Sequence, residues 1–229
     1  MALILSIESA TSVCSVALHQ NGEFLGLMEL NQENVHAKKL MILIESLFDK
    51  LGLNTKGLDA VAVSSGPGSY TGLRIGVSIA KGLAYAHNIP LIGLDTLNAL
   101  AHQVIPFCSI GDVIVPMLDA RRMEIYMSIV SSGGEIIEAS QPLIVEENPF
   151  LKYLNTGKVY FIGDGVEKLR GILDHQNALF PNVLNSSKSM GGLAFVKYQR
   201  KEFEDLAYFE PNYLKEFRVI ASKKNPLII

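Results

Sequence analysis

Tryptophan is absent from this 229-residue chain, cysteine occurs twice and histidine five times. No long run of one charge sign is present, and no apolar stretch is long enough for a membrane span. Cys14 and Cys108 sit in "TSVCSVAL" and "VIPFCSIG". Neither belongs to a CxxC or Cys/His cluster, so both read as reduced, buried thiols and not as zinc ligands. The histidines (19, 36, 87, 102 and 175) form no i, i+4 pair, and no metal site is expected. A net charge of −3 argues against this chain alone holding nucleic acid by counterion release. A nucleic-acid role inside a complex, with another chain supplying the basic surface, stays open. Walker A and G-x-S-x-G patterns are missing, and no pair of carboxylates stands out for acid–base work. The start "MALILSIESATS" has no basic n-region and only a short apolar run, so the expectation is a cytoplasmic protein without a membrane segment.

What is present is a chain rich enough in apolar residues to build a core, with 48% hydrophobic and 19% charged residues. Stretches 2–7, 13–18 and 23–30 read as strands, the last two joined through Asn21-Gly22. Helical spacing follows over 35–51, then a buried strand (59–64), a helix (72–87), a strand (90–94) and a helix from Thr96. Near residue 112 the pattern begins again. Strands are predicted at 113–120, 123–130, 134–139 and 158–163, and helices at 148–154, 166–173 and 189–200. The chain therefore reads as two tandem α/β units, 1–108 and 109–229, the second a weaker copy. Each is expected to be a mixed sheet with helices packed on it. Two such units side by side resemble the ribonuclease H-like actin/Hsp70/sugar-kinase (ASKHA) architecture.

The stretch "SSGPGSYTGLR" (64–74) has the look of a phosphate cradle. Gly66, Gly68 and Gly72 would admit close backbone approach, Ser69 and Thr71 offer hydroxyls, and Arg74 a cation. The turns "IESATS" and "LDARRM" fall where that superfamily keeps its phosphate loops, but the first has Glu8 with no glycine after it. The second follows Asp119 with Arg121 and Arg122, which suit an anion, an acidic neighbour or a partner equally. A small kinase or ATPase using Glu8, Asp119 and the 66–72 loop is the rival reading.

The helices carry more information. Leu40, Met41, Leu43, Ile44, Leu47, Phe48 and Leu51 fill a sector of roughly 160°, wider than the ~100° that one core face needs, and Ile42 is stranded on the polar side. On the next helix Leu73, Val77, Ala80 and Ala84 line one side and Ile75, Ile79, Leu83 and Ala86 another. Gly72, Gly76, Ala80 and Ala84 recur every four residues, a spacing that lets another helix come close. Either both faces are covered within the chain, or one docks a second protein.

"SSGPGSYTGLRIGVSIAKGLAYAHNIPLIGLDTLNALA" (64–101) closely resembles the signature of the TsaB (YeaZ) family, and "LSIESATSVCSVAL", "HAKKLMILIESLF", "MLDARRMEIYMSIV", "FIGDG" and "EPNYLKEF" fall in its order and spacing. The resemblance implies a non-catalytic subunit in bacterial synthesis of threonylcarbamoyladenosine on tRNA. It implies binding to the catalytic paralogue TsaD through the first two helices, with the ATPase TsaE joining the pair and tRNA met only indirectly. It further implies no cofactor of its own, with ATP or ADP bound in the complex. TsaD-type proteins carry His-x-x-x-His after a "PLIG"-like strand. Here Thr96 and Ala99 or Leu100 stand there, so neither a metal nor a metalloprotease-like activity is expected. Lys215 stands where the family commonly has arginine. The docking reading is thereby favoured, with contacts expected from Leu40, Leu43, Ile44, Leu47, Leu73, Gly76, Val77, Ala80 and Ala84. A charge at Val77 or Ala80 should then abolish TsaD binding in a folded chain. In isolation such an apolar surface is expected to pair with a second copy.

Overall fold

The computed structural model describes residues 1–144 and 147–214. Strands β1 (Leu3–Glu8), β2 (Val13–Gln20) and β3 (Glu23–Asn31) form an antiparallel meander. The β2–β3 turn sets Asn21 and Gly22 at φ 52° and 85°, the left-handed pair that a two-residue hairpin requires. Helix α1 (His36–Leu51) leads to β4 (Ala60–Gly66), α2 (Tyr70–His87), β5 (Leu91–Asp95) and α3 (Thr96–Ala101). β4 and β5 add in parallel, giving the order β3-β2-β1-β4-β5.

The second sheet repeats this plan. β6 (Val113–Asp119), β7 (Glu124–Ser131) and β8 (Ile136–Ile144) form its meander. After α4 (Leu151–Leu154), β9 (Val159–Ile162) and β10 (Ala178–Leu179) complete the order β10-β9-β6-β7-β8. Helix α5 (Gly191–Arg200) follows a 3-10 turn at Ser187–Met190. Two five-stranded mixed sheets with helices confirm the α/β class and the duplicated plan.

The copy is weaker than its periodicity suggests. The helix expected at 148–154 is one turn, and the one at 166–173 reduces to a 3-10 turn at Val166–Lys168. Val166, Leu169 and Leu173 still enter the second core, so the apolar face survives without the helix. Gly171 falls inside this short stretch and raises the entropy cost of making it helical.

The expectation that 109–229 forms one unit is corrected near its end. From Asn185 the chain returns to the first sheet. Met190 and Ala194 join Ile4, Ala62 and Ile92 in one buried cluster, and Ser187 meets Ser15 of β2. The physical reason lies in the alternation of β1. Leu3, Leu5 and Ile7 face α1 and α2, while Ala2 and Ile4 face the opposite way and need α5 as cover. Among the described residues no helix is long and apolar enough to cross a membrane.

Candidate functional site: a closed glycine loop and an open helix face

The loop between β4 and α2 is filled by the chain itself. Ser69 caps α2, its Oγ accepting the Gly72 N–H at 3.2 Å, and its own N–H donates to the Ala10 carbonyl at 2.6 Å. Thr71 is exposed and makes no cap. The glycines are there for contact with the "ESATS" turn. A Cβ on Gly68 would meet the Ala10 carbonyl at 2.5 Å, and Cβ atoms on Gly72 and Gly76 would overlap the Ser9 backbone and hydroxyl. Gly66 (φ 114°) lies equally close to the Asn212 carbonyl. The glycine loop and the "ESATS" turn are thus in direct backbone contact.

Glu8 stands at the end of β1, only 1% exposed. Its Oε1 accepts the Ala10 N–H at 2.7 Å, and Oε2 has no hydrogen-bond partner among the described residues. Burial pushes its carboxyl up to about 7, against the smaller opposing pull of the Ala10 N–H and of nearby Ser64 and Asn185. A magnesium-holding carboxylate must be reachable, and Glu8 is sealed from solvent, its charged form disfavoured by burial. Asp119 lies far from it in sequence and is spoken for. Its Oδ1 accepts from the Arg121 N–H at 2.6 Å and pairs with Lys168 at 2.5 Å. Arg121 and Arg122 are exposed, both in left-handed backbone (φ 67° and 51°). Thr96 is buried, its hydroxyl accepting the Gly66 N–H at 3.1 Å, and Ala99 and Leu100 are core residues. No cluster of three or more His, Cys, Asp or Glu that could hold a metal occurs among the described residues.

The helix residues expected at a partner interface are corrected as a group. Leu40, Leu43, Ile44 and Leu47 on α1, and Leu73, Val77, Ala80 and Ala84 on α2, are at most 9% exposed. All but Leu73 belong to one core cluster with Leu5, Ile7, Val16 and Val63 of the sheet. Gly76 is buried against Ser9. The wide apolar sector of α1, Met41 apart, is covered because the helix packs on the sheet and against α2 together. Likewise the small-residue stripe of α2 brings it close to its own β1–β2 turn and not to a foreign helix. A charge at Val77 or Ala80 would therefore disrupt the core.

The opposite sides of the same helices are open. On α2, Arg74, Ser78, Gly82, Tyr85 and Ala86 are exposed, with Ile75, Ile79 and Leu83 half-buried beside them. On α1, Met41 and Ile42 are 40% and 50% exposed. Gly82 has nothing within 4 Å of where a Cβ would stand.

A third component was missed at the sequence level. Residues 203–214 form a strap along the β5 side of α2. The Glu204 N–H donates to the Leu91 carbonyl, the Asn212 N–H to the Ser65 carbonyl, and Lys81 Nζ to the carbonyls of Ala207 and Phe209. Its "EPNYL" stretch lacks periodicity, and only its turn-forming residues signalled a specific path. Lys215 and the "SKKNPLII" tail lie outside the described residues.

Two lobes of this topology define the ASKHA-like fold class, here with the glycine loop packed on the turn after β1. The solved activator of 2-hydroxyisocaproyl-CoA dehydratase from Clostridium difficile shares this fold (TM-score 0.50, 10% identity, 89% of this chain and 98% of that one). A family model described as "TsaD: tRNA N6-adenosine threonylcarbamoyltransferase" matches residues 23–220. A tRNA threonylcarbamoyladenosine biosynthesis protein TsaB from Haemophilus influenzae is 29% identical over 221 residues, covering 93% of each chain. YeaZ from Pseudomonas aeruginosa superimposes with a TM-score of 0.79 at 25% identity, over 93% of this chain and all of that one. The chain belongs to this TsaD-type family and, within it, to the TsaB/YeaZ group.

Proposed function

We propose that this chain is a non-catalytic accessory subunit in the synthesis of threonylcarbamoyladenosine on tRNA. In this reading it docks the catalytic TsaD-type subunit through the outer faces of α1 and α2, and the ATPase TsaE joins the pair. The names of its relatives support the process. The closed loop and the buried Glu8 support a subunit that works without a nucleotide of its own, so that any ATP or ADP of the assembly is held with the partners.

The observation that carries the docking reading is the exposed stripe Ser78, Gly82 and Ala86 flanked by Ile75 and Ile79. Glycine in the interior of an exposed helix costs about 1 kcal/mol relative to alanine. Gly82 touches nothing that would clash with a side chain, so the fold gains nothing from it. Small residues between apolar ones are what a closely approaching partner helix needs.

Calorimetric titration of the chain with the TsaD-type subunit tests this. Ser78→Asp, on the open face, should abolish measurable binding while thermal unfolding stays within a few degrees of wild type. Unchanged binding by Ser78→Asp would overturn the docking face. Magnesium-dependent ATP turnover by the isolated chain would overturn the non-catalytic reading and favour a small ATPase.

A further inference from the structure

Arg74 lies on the first turns of α2, at one end of the open face. Its guanidinium stands over the Tyr70 ring at 4.1 Å from the centroid and 5.9 Å from that of Tyr213. Its Nε–H donates to the Tyr213 hydroxyl at 3.1 Å, and the two rings pack with centroids 4.8 Å apart. Tyr213 belongs to the strap, which is fixed one residue earlier by the Asn212–Ser65 backbone bond of 2.6 Å. These contacts hold the side chain by its inner nitrogen and its flat faces. The outer edge of the fork makes no ion pair with any carboxylate among the described residues. Glu210 on the strap draws its charge from a distance.

Helix α2 contains no Asp or Glu, and its one lysine, Lys81, is engaged by two strap carbonyls. A cation near a helix N-terminus opposes the helix dipole, so Arg74 sits where an isolated helix would disfavour it and where an incoming anion relieves the conflict. Arginine and tyrosine are the residue types enriched in the few contacts that dominate protein interfaces, and a pre-oriented fork loses little entropy on binding. A polynucleotide backbone fits poorly. It calls for several cations in register, and the chain as a whole carries a net charge of −3.

We propose that Arg74, pre-oriented by Tyr70 and the strap residue Tyr213, is the charged anchor of the docking face and takes a carboxylate side chain of the partner protein in a two-pronged contact. This rests on the docking reading above and adds the chemistry of the partner's surface, an acidic residue facing the start of α2.

The test is calorimetry of the full chain against the purified TsaD-type subunit, with thermal unfolding as a control for folding. Arg74→Ala should weaken binding about 30-fold or more, the scale for losing one partner of a desolvated charged contact. Arg74→Lys should recover only a small part of that loss, because a point charge cannot reproduce the fork. Tyr213→Phe keeps the ring but removes the hydroxyl, and should give an intermediate loss. If Ser78→Asp abolishes binding while Arg74→Ala stays within twofold of wild type, the anchor is wrong and the docking face stands. If Ser78→Asp is without effect, the docking reading itself has failed. Full recovery by Arg74→Lys would overturn the two-pronged contact. Weaker binding of unmodified tRNA by Arg74→Ala, with partner affinity unchanged, would assign Arg74 to RNA instead.

Discussion

At the scale of single residues, Glu8 shows how position overrides residue type. An acid after the first strand suggested a metal-holding carboxylate, but the structure seals it beneath the 185–187 segment. Its pH dependence has a definite sign. The carboxyl titrates near 4.5 when unfolded and near 7 when folded, so the folded state binds the extra proton between those values. Stability from this group is complete below about pH 4.5, falls as pH rises toward about 7, and is level above it. The shift corresponds to roughly 3 kcal/mol at 1.36 kcal/mol per unit. Urea denaturation of wild type and Glu8→Gln across pH 4 to 8 should show the variant gaining about 2–3 kcal/mol relative to wild type as pH rises. Parallel profiles would mean that Glu8 titrates alike in the folded and unfolded chain. Residue identity revealed a carboxylate at this point, but its burial depends on Asn185 and Ser64, which are remote in sequence.

At the scale of elements, α2 separates two kinds of glycine that look alike in sequence. Gly72, Gly76 and Gly82 all interrupt a helical pattern. Alanine at Gly76 would drive its Cβ into the Ser9 hydroxyl, and at Gly72 into the Ser9 carbonyl. Each should cost about 1–3 kcal/mol as an overpacked site, with Gly72 the worse because backbone must move. Gly82→Ala meets open space and should stabilise the chain by about 0.5–1 kcal/mol through helix propensity. Thermal unfolding of the three variants reads both signs in one experiment; a destabilised Gly82→Ala would contradict an open outer face. The helical period and the small-residue spacing were legible in the sequence. Which side faced the sheet was not, because both sides of α2 are apolar or small, and only the neighbours distinguish them.

At the scale of the molecule, the two sheets are tied by chain that crosses between them. Ser140 of β8 donates to Asp95 at the start of α3 at 2.7 Å, and Ser186 donates to Glu29 of β3 at 2.7 Å. The strap then returns along α2, where Glu204 and Phe209 crowd against Gly93. Ending the chain after Lys201 removes these backbone bonds and uncovers Gly93 and Leu91. Its thermal midpoint should drop by several degrees, reported by circular dichroism, with one to a few kcal/mol lost. An unchanged midpoint would make the strap an ornament of the surface. The sequence by itself determined the strand meander, the helices α1 and α2, the duplicated plan and the family signature. These depend on local spacing and on turn residues that act over a few positions. Only the tertiary structure decided that the glycine loop is closed, that the wide apolar faces of α1 and α2 are turned inward, and that chain from 185 to 214 belongs with the first sheet. Each is a contact between segments tens to hundreds of residues apart, and periodicity says that a face is buried without saying what buries it.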